Sequence, residues 1–207
     1  MLEIKKIVIA EAIINPVSNR SPISLVQFGH FPFGRQSGAP LTIRFDELDS
    51  APDVTELMID ALIAKITPNS RRIDLVCGIY PGGIRFAAEI ASDLGVPYVV
   101  YEPLSYRLNT GISEIKPGNG IIVDEQLIFG RGTIRAAWRL KEEHIKVGQV
   151  LTIVSYDLPA VRFSLSNLGI EAVSLVTMAD IVHHPSFRDR FSPQQIAQAT
   201  RWISNLR

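Results

Sequence analysis

The sequence predicts an α/β fold in which a mostly parallel, Rossmann-like sheet is flanked by helices. Short β-branched apolar runs, typical of strands buried on both faces, alternate with amphipathic segments of helical spacing. Two of these runs, residues 73–77 and 120–123, lead into glycine-containing turns that open a helix. Alternation of this kind predicts parallel pairing, with binding sites at the carboxyl ends of the strands.

The first third of the chain predicts two helices separated by a loop-rich region. Residues 3–14 and 52–66 have helical spacing, and each segment ends before a proline. Residues 18–40 are rich in Ser, Gly, Pro and Phe, whereas residues 41–45 alternate as an exposed strand does.

The next part of the chain predicts a strand, a tight turn and a helix. Residues 73–77 are the strand, residues 78–84 the turn, and the helix stops at Gly95. The turn is not Gly-x-Gly-x-x-Gly and no Gly-Lys-Ser/Thr follows, which disfavours dinucleotide and P-loop sites. Residues 96–101 predict the following strand.

An apolar run that meets two carboxylates is the centre of the chain. Residues 120–123 predict a buried strand, Asp124 and Glu125 follow directly, and the chain is then expected to leave the sheet. Such a pair can hold ribose hydroxyls or a magnesium ion. The alternative is a solvated pair that caps the following turn.

A glycine turn after the acids predicts the start of a helix. Gly130 and Gly132 can adopt backbone conformations closed to other residues, and Thr133 is expected to accept a hydrogen bond from an amide further along. Because a helix N-terminus presents unpaired N–H groups to an anion, the pattern predicts a site for a phosphorylated sugar.

The C-terminal part continues the alternation. Strands are predicted at residues 150–154 and 172–178, and helices at residues 158–168 and 192–206. Residues 179–183 predict a short turn or helix. His183 and His184 suggest a metal, but adjacent histidines point in different directions and no cysteine or carboxylate pattern accompanies them. A solvated helix end is the favoured interpretation.

Composition restricts the classes of function. With 207 residues and a formal net charge of +0, the chain suits one α/β domain and argues against a nucleic-acid binder. Mean hydropathy is +0.17, but charge, Pro or Gly interrupts every apolar run before the ~20 residues of a membrane span. The single cysteine, Cys77, excludes an internal disulfide, and with no signal-peptide pattern at the start we expect a cytoplasmic protein that binds no membrane.

Residues 120–133 resemble the phosphoribosyl-pyrophosphate motif of the type I phosphoribosyltransferases. In that motif two hydrophobic residues lead into two acids, a Thr-Thr-Gly-containing phosphate loop and a helix. Asp124 and Glu125 match the acids, and Gly130 matches the loop glycine.

The phosphate loop also departs from the family pattern. Ile128 and Phe129 occupy the two threonine positions, and Gly132 occupies a serine position. The backbone N–H groups from Phe129 to Thr133 remain able to bind a phosphate, helped by Arg131.

Three further segments resemble the orotate phosphoribosyltransferases. Residues 78–84 are similar to the pyrophosphate loop, which implies that Tyr80, Pro81, Gly82 and Gly83 contact pyrophosphate. Residues 34–40 are similar to an element that closes over the base, which implies contacts from Arg35 and Ser37; a glycine hairpin explains them equally well. The family's mobile catalytic loop is rich in lysine. In the corresponding segment of this chain, which follows the strand at residues 96–101, Arg107 is the only cation before Lys116.

The resemblance covers residues 3–185 and implies one domain, residues 1–207. A small hood comes mainly from residues 1–48, and the helix at about 192–206 is additional. It further implies a homodimer, with Asp124, Glu125 and Arg107 as catalytic residues and Mg²⁺ held by the two acids.

Two hypotheses follow from the departures. The first is a protein that binds phosphoribosyl pyrophosphate or a nucleotide, with transferase activity weak or lost. The second is a divergent transferase that acts on orotate or another base and releases pyrophosphate. The sequence slightly favours the first, because it keeps the acids that hold ribose and loses cations that would stabilise the leaving group.

Overall fold

A computed structural model describes residues 2–15, 25–33, 36–67, 72–110 and 116–206. The helices are α1 (Leu2–Ile14), α2 (Pro52–Ile63), α3 (Gly83–Leu94), α4 (Arg131–Glu142), α5 (Pro159–Asn167), α6 (Met178–His183), α7 (Pro185–Arg190) and α8 (Pro193–Leu206). The strands are β1 (Val26–Phe33), β2 (Gln36–Ile43), β3 (Leu75–Ile79), β4 (Tyr98–Glu102), β5 (Arg107–Thr110), β6 (Gly118–Leu127), β7 (Ile145–Ser155) and β8 (Glu171–Thr177), and Phe45–Ser50 is a 3₁₀ helix.

The chain divides into two compact units. One unit comprises Met1–Met58 and Val176–Arg207, and the other comprises Ile59–Leu175. Within the described ranges, no helix combines the length and the apolar character that a membrane span requires. The assignment of residues 1–207 to one domain with a hood stays a prediction.

The unit Ile59–Leu175 is built on the predicted parallel sheet. Its strand order is β5-β4-β3-β6-β7-β8, with β3 parallel to β4 and to β6, and β6 parallel to β7. Every residue of β3 is buried, as expected for a strand covered on both faces. The α/β prediction is confirmed.

The strand order reverses direction between β3 and β6. From β3 the chain crosses through α3 to β4, and from β6 it crosses through α4 to β7 on the other side. Since such crossovers are right-handed, α3 and α4 cover opposite faces of the sheet. Their N-termini flank the crevice at the carboxyl ends of β3 and β6, where ligands bind in this class of sheet.

The central strand is longer than the sequence predicts. Its pairing with β3 ends at Val123, but its pairing with β7 continues from Asp124 to Leu127. The expectation that the chain leaves the sheet after the carboxylates was wrong, because β7 extends the ladder. Asp124 and Glu125 are therefore strand residues.

Two other segments differ from the sequence predictions. The segment expected to be a mobile loop includes β5, which pairs antiparallel with β4 and places Arg107 opposite Glu102. The short helix α7 was not predicted, and its fourth residue from the end, Phe187, is fully buried.

The other unit contains the β1–β2 hairpin, α1 and the C-terminal helices. Phe28 of β1 lies near Phe187 and Phe191, with ring centroids 6.0 and 4.9 Å away. Lys6 and Asp180 form an ion pair of 2.9 Å. The final helix α8 is in the predicted position.

A glycine brings α3 into close contact with the sheet. A methyl group placed on Gly83 would lie 2.3 Å from the carbonyl oxygen of Val123. One placed on Gly78 would lie 2.8 Å from Cβ of Ala87. Only glycine permits this approach, which places the first turn of α3 directly on β6.

We predict that Gly83→Ala destabilises the protein, because the added methyl group meets backbone that cannot move alone. The expected loss is about 1–3 kcal/mol in the free energy of unfolding, measured by urea titration. Gly148→Ala is the matched control, since Gly148 is exposed and has nothing within 4 Å of an added methyl group. Equal stability of the two variants would contradict the proposed packing.

Candidate functional site

The candidate site lies at the carboxyl edge of the sheet, where β6 extends beyond β3. Gly82, at the start of α3, contacts the side chain of Glu125, and Thr133, in the first turn of α4, contacts Asp124. Each of the two glycine turns recognised in the sequence therefore meets one of two adjacent residues of β6. They lie on one edge of the sheet.

Asp124 is held in a desolvated position beside α4. The Thr133 hydroxyl donates to its Oδ2 atom at 3.3 Å. Burial raises the pKa of Asp124 to about 7, although the Thr133 hydroxyl and the backbone N–H groups of Glu125 and Gln126 oppose the shift. Near neutral pH the carboxyl group is thus present in both protonation states, and it can accept or donate hydrogen bonds to hydroxyl groups.

Helix α4 begins two residues earlier than predicted, and its start is open. Gly130 has a φ of 63°, in the left-handed region, and a methyl group there would lie 2.9 Å from Cγ1 of Val161. No side chain caps the helix among the described residues. Thr133 lies within the first turn and donates to Asp124, so the expectation that it caps the helix was wrong.

The residues around this helix start are partly apolar. The Arg131 guanidinium lies 5.8 Å from the centroid of the Phe129 ring, and Arg131 is exposed while Phe129 is half-buried. A methyl group on Gly132 would lie 3.4 Å from Cγ of Pro103. The predicted phosphate-binding residues therefore surround one helix N-terminus, with a single cation, Arg131, on the first turn.

Glu125 lies against the turn between β3 and α3. A methyl group on Gly82 would be 1.9 Å from the Glu125 carboxyl carbon and 2.0 Å from its Oε2 atom. Tyr80 and Pro81, the other predicted residues of this turn, are exposed. The turn expected to face pyrophosphate thus has a carboxylate beside it.

The two acids point to different faces of the sheet. Successive residues of a strand alternate in direction, and both Asp124 and Glu125 belong to β6. Their contacts agree, since Asp124 meets α4 and Glu125 meets the turn before α3. The sequence shows the pair as adjacent, and the strand geometry separates the two carboxyl groups.

Arg107 lies at the same edge of the sheet but several strands away. It belongs to β5, and β4 and β3 separate β5 from β6. Three steps of strand spacing amount to roughly 14 Å, more than the reach of one side chain. The structure does not bring Arg107 to Asp124 within one chain, and its catalytic role stays a prediction.

Sequence reasoning missed the pair of Arg135 and Tyr106. Arg135 Nη1 donates to the Tyr106 hydroxyl at 2.8 Å, and its guanidinium lies 4.7 Å from the ring centroid. This contact joins the β4–β5 turn to α4. In the sequence Arg135 had only the signature of a solvated helix face, and no local pattern indicated a contact with Tyr106, 29 residues away.

The remaining predicted residues are less informative. Arg35 lies outside the described residues, and Ser37 belongs to β2 with a side chain outside them. His183 Nδ1 is 2.8 Å from the Ala179 carbonyl oxygen, and the Ser186 N–H donates to His184 Nδ1. Across the described ranges, no group of three or more His, Cys, Asp or Glu residues could hold a metal ion.

Comparison with protein-family models finds no match. The chain is 30% identical over 153 residues to the orotate phosphoribosyltransferase of Coxiella burnetii, covering 70% of this chain and 73% of that protein. It is 26% identical over 160 residues to the orotate phosphoribosyltransferase of Cutibacterium acnes, covering 75% and 74%.

Solved structures share the fold. Leishmania donovani UMP synthase matches with a TM-score of 0.73 and 19% identity, over 99% of this chain but only 42% of that chain. Orotate phosphoribosyltransferase from Aeropyrum pernix matches with a TM-score of 0.66 and 21% identity, over 76% and 91%.

We predict that Asp124 makes stability depend on pH. Its pKa rises from an ordinary value of 3.8 to about 7 on folding, so the folded state binds more protons between these values. Its contribution to stability is therefore fully present below about pH 4 and is lost as pH rises through 7. Between pH 5 and pH 8 the wild-type protein should lose about 2 kcal/mol of unfolding free energy that Asp124→Asn does not lose.

Urea titrations at the two pH values test this prediction. Asp189→Asn, which changes an exposed aspartate of α7, is the control and should follow the wild type. A parallel pH dependence of wild type and Asp124→Asn would show that the Asp124 carboxyl is not desolvated.

Proposed function

The chain belongs to the type I phosphoribosyltransferase family, and we propose that it binds a ligand containing ribose 5-phosphate, with transferase activity weak or lost. The observation that carries this proposal is the placement of Asp124 beside Thr133 at the open N-terminus of α4. An acid for ribose hydroxyls and a helix start for a phosphate lie next to each other there.

The α4 N-terminus supplies the phosphate site in this proposal. The first N–H groups of a helix have no partner within it, and the helix dipole favours an anion at that end. Gly130 and Gly132 keep the approach to these amides free of side chains, and Arg131 adds one positive charge. The 5′-phosphate is thereby bound mainly by backbone.

Asp124 supplies the ribose site. With a pKa of about 7, its carboxyl group can accept hydrogen bonds from two hydroxyls or share a proton with one of them. Thr133 holds one carboxyl oxygen in place, which fixes the orientation of the group toward the ligand. In this proposal Asp124 and the first turn of α4 supply the main contacts to the ribose phosphate.

Transfer of the phosphoribosyl group also requires groups that stabilise the leaving pyrophosphate. The leaving pyrophosphate gains negative charge in the transition state, so cations near it carry much of the catalysis. Arg107 is about three strand spacings from β6, roughly 14 Å. Within one chain this distance favours weak or absent transfer.

The residues do not fit a magnesium ion held jointly by the two acids. Mg²⁺ requires near-octahedral oxygen ligands at short range. Asp124 and Glu125 are neighbouring residues of β6 and point to opposite faces of the sheet, so their carboxyl groups do not converge on one ion.

The alternative is an active transferase with orotate or another base as acceptor. The names of the relatives favour it, since both are orotate phosphoribosyltransferases. In this alternative Arg107 acts at the site of a second copy, so a homodimer is required. Homodimer formation and a cytoplasmic location belong to the proposal and stay predictions.

We predict that ribose 5-phosphate and uridine 5′-monophosphate bind to the wild-type protein in calorimetric titrations. Asp124→Asn should weaken both ligands at least about tenfold, because a charge-assisted hydrogen bond to ribose is lost. Asp189→Asn should bind as the wild type does. If the wild-type protein gives no heat with ribose 5-phosphate and none with uridine 5′-monophosphate, the proposed binding function is wrong and only the shared fold stands.

Release of pyrophosphate from phosphoribosyl pyrophosphate and orotate separates the two candidate functions. The proposal predicts release that is absent or only slightly above the uncatalysed background, because it assigns no cation in this chain to the leaving group. Turnover that Asp124→Asn abolishes would favour the transferase instead.

A further inference from the structure

A groove lies at the amino edge of the sheet, where α4 and α5 end and β7 begins. Its volume is about 550 Å³, within the range of small-molecule sites. All of its lining residues belong to the unit Ile59–Leu175. The apolar residues that line it are buried or half-buried: Ala137, Ile145, Val147, Leu168 and Ile170. The groove therefore has an apolar base.

An exposed tryptophan lines the same groove. Trp138 of α4 is 51% exposed, although its ring is the largest side chain of the groove. Lys141, also a lining residue, places its ammonium nitrogen 5.0 Å from the centroid of that ring. This cation–π contact holds the positive charge beside the indole. An aromatic surface and a cation thus lie next to each other in the groove.

The charge of the groove is positive. Lys146 of β7 is exposed, lines the groove and forms no ion pair within the described ranges. Among the described residues, no carboxylate lines the groove. The acids that follow Lys141 along the chain, Glu142 and Glu143, lie 3.1 and 2.6 Å from Arg139 and are paired with it. Two ammonium groups therefore face the groove without an acid in its lining.

The end of α4 explains only part of this arrangement. The helix dipole favours a cation near the last turn, which accounts for Lys141 but not for a lysine in a strand or an exposed indole. His144 has a φ of 58°, a left-handed conformation for which glycine is the usual residue after a helix. Its side chain lines the groove, as does that of Asn167 at the end of α5. Both can hydrogen-bond to a ligand.

We propose that this groove is a second binding site, and that its ligand is a small planar aromatic anion. The ring contacts Trp138 and the apolar base, and a carboxylate or phosphate on the ring pairs with Lys141 and Lys146. This site is separate from the candidate ribose phosphate site. The latter lies at the other end of α4, a helix of 12 residues that is roughly 18 Å long.

Three probes of similar shape test the proposal: 2-naphthoate, 2-naphthyl phosphate and the neutral 2-naphthamide. Calorimetry of the wild-type protein should give affinities for at least one of the two anions that are about tenfold higher than for the amide, because the amide lacks the charge-assisted hydrogen bond. The anion that binds more tightly identifies whether the natural ligand carries a carboxylate or a phosphate.

Nuclear magnetic resonance locates the bound probe. The chain has two tryptophans. Trp138 lines this groove, and Trp202 lines another cavity, of about 530 Å³, in the other unit. Trp202→Phe assigns the two indole N–H signals. The anionic probe should shift the Trp138 signal and leave the Trp202 signal in place.

Variants test the role of each group. Lys141→Gln and Lys146→Gln should each weaken the anionic probe about fivefold and change the affinity for 2-naphthamide less than about twofold. Trp138→Leu should weaken all three probes at least about fivefold. Arg188→Gln removes a positive charge from an exposed residue of α7 and should bind as the wild type does. Thermal melting confirms that each variant is folded, and Trp138→Phe replaces Trp138→Leu if the latter is not.

Several results would overturn the second site. These are equal affinity for 2-naphthamide and both anions, a shift of the Trp202 signal in place of the Trp138 signal, or unchanged affinity in both lysine variants. A Trp138 signal that moves with protein concentration and with no probe would show that a second copy covers the groove, which also excludes the ligand. None of these results bears on the proposed function, because the probes contain no ribose.

Discussion

The approach of Gly83 to the carbonyl oxygen of Val123 is the contact on which the site depends. A Cβ atom at this position would lie 2.3 Å from that oxygen, so only glycine allows α3 to start directly on the central strand. With the first turn of α3 packed on β6, Gly82 contacts the side chain of Glu125, which lies two residues after Val123 in that strand. The backbone approach therefore decides which charge faces the first turn of α3.

The extension of β6 beyond the end of β3 determines where the two acidic side chains point. Strand β7 continues the ladder past Val123, so two acidic residues adjacent in sequence point to opposite faces. Asp124 enters a desolvated position where Thr133 holds it and its pKa rises to about 7. A pair that the sequence presents as one unit becomes two groups with different environments and different uses.

The chain has the fold of the phosphoribosyltransferases, and its β4–β5 turn packs against α4. The turn contacts α4 through Pro103 against Gly132 and through Tyr106 against Arg135. Arg135 is engaged with an aromatic ring and its hydroxyl, a use that stabilises the turn. In the proposed function, phosphate binding by backbone depends less on side-chain charge than stabilisation of a leaving pyrophosphate does.

The sequence by itself determined the features that depend on local physics. Apolar runs specified the parallel sheet, Gly130 specified a turn in the left-handed region, and Asp124 identified the edge that carries the candidate site. Only the tertiary structure decided how far β6 continues, because the extension depends on pairing with a later strand, in which Asp124 pairs with Thr152. It likewise decided that Thr133 donates to Asp124 and that Glu125 meets Gly82, since both contacts are set by how helices pack on the sheet. Such contacts between distant segments leave no periodic signal in a single sequence.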